Sequence, residues 1–312
     1  MRRLVRARSP SPEPATQPEE RTIPPELLRR IRGIEIRARR LVTNVFVGEY
    51  HAVFRGRGIE FSEVREYQPG DDVRAIDWNV TARLGAPYIK KYVEERELTV
   101  MLVVDVSASD RFGSGGVTKR DIAAEAGGLL AFSAIRNNDK VGLIAFSDRI
   151  ERYVPPAKGA RHVLRVIREL LYLQPEGGGT DIGGAADFVS KVLPRRSVVF
   201  LLSDFGDQRY ERRLRVLARR HDVTALVLGD RREEALPAAG LVAVEDAETG
   251  EQMVVDTGDR RVRAAYAAAA TRRRDERRRA LASSGIDQVE LTTDSSYVEP
   301  LLAYFRRRAG RQ

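Results

Sequence analysis

The chain has 312 residues, enough for about two domains or one large domain with additions. Hydrophobic residues at 42% against 32% charged supply a real core and exclude global disorder, while the absence of cysteine excludes disulfides, thiolate metal sites, iron–sulfur clusters and thiol catalysis. The net charge of +9 is concentrated in residues 1–21, 272–279 and 305–312, and three widely spaced histidines (His51, His162, His221) speak against a multi-histidine metal centre.

Residues 1–24 carry Pro10, Pro12, Pro14, Pro18 and Pro24 among polar residues, so a disordered tail is expected there. Its basic start has no apolar stretch behind it, so a secretory signal is not expected, and no apolar run in the chain is long enough to cross a bilayer. The chain therefore reads as cytoplasmic, with peripheral membrane contact left open.

The segment 25–96 is expected to form an N-terminal helix and a small β-containing subdomain. Leu27, Leu28, Ile31, Ile34 and Leu41 recur at helical spacing with arginines opposite, which predicts an amphipathic helix over about 25–42. Val45-Phe46-Val47 and Ile59-Glu60-Phe61 read as short strands, Tyr67-Gln68-Pro69-Gly70-Asp71-Asp72 as a turn, and Tyr88 to Glu97 as a further extended piece.

From residue 97 to 309 strands and helices alternate. Leu98 to Asp105 is a near-continuous apolar run, as in a strand buried on both faces. A helix follows at about 119–136, then a strand at 141–146 turning into an antiparallel edge at 150–154. Helices are expected at about 158–173, 181–192 and 207–220, strands at 197–203 and 223–228. Residues 241–256 alternate about Glu248-Thr249-Gly250-Glu251 and predict a β-hairpin insertion; a helix at about 259–284, a strand at 286–291 and a helix at 296–308 close the chain. This is an α/β pattern with a doubly wound, mostly parallel sheet.

In such a sheet, ligands bind beyond the carboxyl ends of the strands. Asp105-Val106-Ser107-Ala108-Ser109 ends the first buried strand, Ser203-Asp204 ends the third, and Gly177-Gly178-Gly179-Thr180 opens a helix between them. Asp105, Ser107, Ser109, Thr180 and Asp204 offer oxygen and no nitrogen or sulfur, a set suited to a hard divalent cation. The plain alternative is a capping aspartate with serines satisfying loop amides. A single Asp-x-Ser-x-Ser would not separate the two, but three pieces in order at three element boundaries favour the cation.

These residues on this topology resemble the metal-ion-dependent adhesion site of von Willebrand factor A domains. The block from Gly58 to Asn79, with Tyr67-Gln68-Pro69-Gly70-Asp71-Asp72-Val73-Arg74-Ala75-Ile76-Asp77-Trp78 at its heart, resembles the hallmark of the bacterial family known as domain of unknown function fifty-eight. That family carries a von Willebrand factor A-like domain and is commonly encoded beside MoxR-type AAA+ ATPases. The resemblance implies Mg²⁺, or Mn²⁺ or Ca²⁺, held by the five residues, an acidic side chain of a protein ligand at the open position, and a role as adaptor of a MoxR-type ATPase in protein maturation or remodelling. Asp110 stands where such domains often place Met, adding a negative charge near the site without removing a ligand.

Two other functions compete. A metal-dependent phosphohydrolase would want a denser carboxylate set or histidines, and no Gly-x-Ser-x-Gly elbow or lysine-bearing phosphate loop is present, so catalysis is not expected. A nucleic-acid accessory role could use the Arg runs at 272–279 and 305–312, yet no aromatic is interleaved with the run at 272–279 and nucleic acid is not favoured. For Arg65, Asp71, Asp72, Arg74, Asp77 and Trp78, a partner-facing patch competes with an internal ion-pair network in which Trp78 is a buried anchor; the second is the expectation.

Overall fold

The structure, a computed structural model, describes residues 25–42, 44–54, 64–69, 71, 73, 76, 78–90, 97–207, 209–245 and 250–311. The expected tail at 1–24 and strand at Ile59–Phe61 lie outside these residues.

Six strands form the central sheet: β3 (Thr99–Asp105), β4 (Lys140–Phe146), β5 (Ile150–Ala157), β6 (Val198–Ser203), β7 (Asp222–Gly229) and β10 (Asp287–Thr292). Their order is β10-β7-β6-β3-β4-β5, parallel throughout except for β5, which returns antiparallel beside β4. From β3 the chain steps one way to β4 and β5, then crosses back to add β6, β7 and β10 on the other side. The direction of winding thus reverses between β3 and β6, which opens a crevice at their carboxyl ends.

Side chains alternate across β3 and feed two cores. Val100, Leu102 and Val104 join the cluster with α4 (Lys119–Arg136), α5 (Ala160–Tyr172) and α10 (Val298–Ala309); Met101 and Val103 join the one with α6 (Ile182–Val192), α7 (Glu211–Arg220) and α9 (Arg260–Ser283). The sheet is therefore covered by helices on both faces, the doubly wound α/β arrangement expected from the alternation. A separate antiparallel hairpin, β8 (Leu241–Glu245) with β9 (Gln252–Asp256), precedes α9. No helix among the described residues is long and apolar enough to cross a membrane.

The first helix, α1 (Pro25–Leu41), begins with a proline whose ring fits a helix start, and it buries Ile34 and Ala38. It lies close over α4: a Cβ at Gly128 would meet Ile34 Cγ2 at 3.1 Å and Ile167 Cδ1 at 3.3 Å, so a side chain there would push α1 and α5 outward. The second helix, α2 (Asn44–Phe54), overturns the strand expected at Val45–Val47. The β-branched valines suggested a strand locally, but Phe46, Tyr50, Val53 and Phe54 fall on one helical face and are all buried. Phe54 meets Phe200 of β6 edge-on at 5.7 Å, and Phe305 of α10 meets Phe46 at 5.4 Å.

Along the chain between α2 and β3, β1 (Val64–Glu66) pairs antiparallel with β2 (Tyr88–Lys90), flanking the short helix α3 (Trp78–Leu84). The expected turn is present: Asp71 Oδ2 accepts from the Gln68 backbone N–H at 2.9 Å. Trp78 is not the buried anchor expected, being 70% exposed at the head of α3. The helix expected from about 207 starts at Glu211, because Phe205 and Arg209 take left-handed φ values of 59° and 80° that interrupt a right-handed helix.

Candidate functional site

Asp105 is the last residue of β3 and only 2% exposed. Its Oδ1 accepts from the Ser107 backbone N–H at 3.0 Å and its Oδ2 from the Ser203 hydroxyl at 2.7 Å. The chain then enters a one-turn 3-10 helix, Ala108–Arg111, which brings the Ser107 and Ser109 hydroxyl oxygens to 3.1 Å. Asp204 follows β6. Its Oδ1 accepts from the Gly206 backbone N–H at 3.0 Å, and the nearby Ser109 hydroxyl helps hold its carboxyl down. Asp105, Ser107 and Ser109 are thus joined by direct hydrogen bonds, and Asp204 is brought beside them by its chain neighbour Ser203, which bonds Asp105.

Thr180 lies in the loop before α6, half-buried. That loop is held against the serine turn by the Ala108 N–H, which donates to Gly178 O at 3.2 Å, two residues from Thr180. Glu151 of β5 fixes the loop's far end, accepting from the Glu176 and Gly177 N–H groups at 3.2 and 2.9 Å and from the Ser147 hydroxyl at 2.5 Å. Gly177 is required there, since a Cβ would fall 2.4 Å from Ser147 Oγ. Asp181 caps α6 through the Gly184 N–H at 2.8 Å.

The electrostatics are those of a crowded anionic crevice. Burial, and then the nearby Asp204 carboxylate, push the Asp105 carboxyl up to about 6. Burial also acts on Asp204, but the Lys119 ammonium 2.9 Å from its Oδ2 outweighs it and holds Asp204 below the usual carboxylate range. Asp110, the added negative charge, points inward: it is buried, its Oδ2 has no hydrogen-bond partner among the described residues, and Arg120 Nε lies 3.8 Å away. Burial and the Asp105 charge raise its carboxyl well above the ordinary value.

The donor chemistry fits a small hard cation. Adjacent ligands of an octahedral Mg²⁺ lie roughly 3 Å apart, given metal–oxygen distances of about 2.1 Å. The Ser107 and Ser109 oxygens already have that spacing. Among the described residues no three His, Asp or Glu side chains gather as a metal-holding group, so a cation in this crevice would depend on hydroxyls beside the two carboxylates. Sequence reasoning missed Ser203, Lys119 and Glu233. Ser203 was read only as the end of a strand, although a hydroxyl one residue before Asp204 in a parallel neighbour strand could have been placed against Asp105.

A second polar hub borders the crevice. Asp230, beyond β7, accepts from Ser114 N–H and Oγ (both 2.9 Å), from the Arg232 N–H (2.8 Å) and from the Thr293 hydroxyl, joining three loops at the carboxyl edge of the sheet. Burial opposes its charge, but these donors win and hold the carboxyl at about 2. Its folded value lies below its unfolded one of 3.8, so its contribution of about 2 kcal/mol is complete above pH 4 and is lost as pH falls toward 2. Asp230→Ala is expected to lower unfolding free energy by about 2–4 kcal/mol at pH 7 in urea titrations. The gap between wild type and variant should narrow on moving to pH 3; a gap that widens there would contradict the assignment.

The fold and the crevice define an α/β protein with an oxygen-lined polar site at the reversal point of its sheet. The chain belongs to the family described as "Protein of unknown function DUF58", whose model matches residues 63–276. It is 32% identical to "Uncharacterized protein Rv1480" of Mycobacterium tuberculosis (strain ATCC 25618 / H37Rv) over 287 residues, covering 91% of this chain and 90% of that one. Among solved structures it is similar to the conserved hypothetical protein BatB from Bacteroides thetaiotaomicron, with a TM-score of 0.46 and 16% identity over 68% of this chain and 99% of that one. It is also similar to the SpRpn10 VWA domain, with a TM-score of 0.38 and 11% identity over 67% and 95% of the two chains.

Proposed function

We propose that this chain is a non-catalytic binding module that captures an acidic side chain of a protein partner through a divalent cation, Mg²⁺ in the first instance, with Mn²⁺ or Ca²⁺ as substitutes. Ser107, Ser109 and Thr180 would ligate the ion, and Asp105 and Asp204 would hold it directly or through water. The ion supplies a charge that a carboxylate from outside can approach at an open coordination position. The observation that carries this reading is the pair of serine hydroxyls 3.1 Å apart, flanked by Asp105 and Asp204 in one crevice. The three histidines offer no base here: His51 lies on α2, His162 bonds the Val141 carbonyl, and His221 ends α7.

The resemblance to the family makes a MoxR-type AAA+ ATPase the proposed machine served by the module. The nucleic-acid alternative loses support from internal pairing of its arginines. Arg277 and Arg278 reach Glu290, Arg274 reaches Glu234, Arg306 reaches Glu49, and Arg308 clamps Asp222.

Calorimetric titration of the full chain with Mn²⁺ tests the reading, and Thr180→Ala is expected to weaken binding at least tenfold. Capture of a purified MoxR-type ATPase should fall in parallel at constant Mg²⁺, a design that avoids stripping the ATPase of its own ion. Undiminished Mn²⁺ binding by Thr180→Ala would defeat the cation site, and undiminished capture would defeat the adaptor role.

A further inference from the structure

Lys119 opens α4, where the positive end of the helix dipole disfavours a cation. It is nonetheless 1% exposed, among the largest fully buried side chains. A buried ammonium survives only with close partners, and its two are Asp204 Oδ2 at 2.9 Å and Glu233 Oε1 at 2.5 Å. Glu233 is itself pinned, because its Oε2 accepts from the Asp230 N–H at 3.0 Å in the capping box of the one-turn helix α8 (Arg231–Glu234). The crevice thus already contains one cation, anchored from two sides and touching a residue expected to hold a second. A broken local helix rule at the rim of a site is where a functional role is expected.

The charges decide what this does. Counted at formal charge, Asp105, Asp204 and Glu233 against Lys119 leave two negative charges, and Asp110 with Arg120, 3.8 Å away, sums to zero. A divalent ion brings that crevice to neutrality. With an apolar side chain in place of Lys119, the loaded crevice would remain anionic: it would grip the metal harder and repel an incoming carboxylate. Resting on the cation reading above, we propose that Lys119 is a resident counter-ion that holds down the site's affinity for a divalent cation and leaves the loaded site neutral, so that an acidic ligand meets no net repulsion.

Mn²⁺ titration of the full chain, by calorimetry and by the electron paramagnetic resonance signal of free Mn²⁺, tests this with Lys119→Met and Glu233→Gln. Lys119→Met is expected to bind Mn²⁺ at least roughly tenfold more tightly, since a unit charge within a few ångströms of the ion is removed. Glu233→Gln, which keeps the capping box, is expected to bind several-fold more weakly. Both variants break the same Lys119–Glu233 bridge, so a purely structural latch would shift both in the same direction, and that result overturns the proposal. If Lys119→Met does not fold, Glu233→Gln decides alone: unchanged or tighter binding rejects the counter-ion role. Asp105→Asn separates the two levels. Loss of Mn²⁺ binding in Asp105→Asn, with the Lys119 and Glu233 variants unmoved, rejects only the counter-ion; unaltered binding in Asp105→Asn rejects the cation site and this proposal together.

Discussion

Asp105→Asn is expected to lose Mn²⁺ binding by at least roughly 100-fold while its thermal midpoint stays level or rises. The side chain is 2% exposed and faces a second carboxylate, Asp204, so its charge is desolvated and repelled in the cation-free protein. Asparagine keeps the shape, and its carbonyl still accepts from the Ser107 N–H. Its amide can donate to the Ser203 hydroxyl, which already accepts from the Phe205 N–H at 3.0 Å and retains a second lone pair. Folding therefore keeps one bond to Ser203 with its direction reversed, at the cost of the acceptor for the buried Ser203 O–H, and is relieved of a buried charge, whereas a cation loses a full negative charge from its cradle. Opposite signs in stability and binding mark a residue kept for function. A fall in midpoint of more than about 10 °C, with binding intact, would make Asp105 a structural residue and remove it from the site.

The largest loss of stability is expected from Phe305→Ala, about 3–5 kcal/mol in urea unfolding. Phe305 is fully buried on α10 and is the meeting point of the helices over one face of the sheet. Its ring meets Phe46, Tyr50 and Phe54 of α2 edge-on at 5.4, 6.0 and 5.8 Å, and tilts against Tyr304 at 5.3 Å. Truncation removes the transfer free energy of the ring and leaves a cavity that four aromatic neighbours, already packed, cannot collapse to fill. Because the contacts join the second helix to the last, proteolysis of α1 and α2 should accelerate before the sheet unfolds. Protection of these helices identical to wild type would show that other contacts dock them.

Asp105→Asn acts at residues legible in the chain itself; Phe305→Ala acts on a junction that was not. Strands β3, β6 and β7 announce themselves because a strand covered on both faces must be apolar at every position, and their ends are marked where polarity returns at Asp105 and Ser203-Asp204. The order of helices and strands, the hairpin before α9 and the five oxygen-bearing candidates follow from such local signals. Local signals misled at Val45–Val47, where β-branched residues suggested a strand and burial against α10 made a helix, and at Trp78, whose size suggested an anchor although it faces solvent.

By itself the amino-acid sequence determined the alternation of strands and helices from residue 97 onward, the doubly wound class and the oxygen-bearing residues at the strand ends, because periodicity and composition act over a few residues. Only the tertiary structure decided that α1 and α2 close one face of the sheet, that Ser203 orients Asp105, and that Lys119 threads between Asp204 and Glu233. Those partners lie about a hundred residues apart in the chain. A lysine at the start of a helix looks like a solvated charge until folding brings two carboxylates to it and takes the water away.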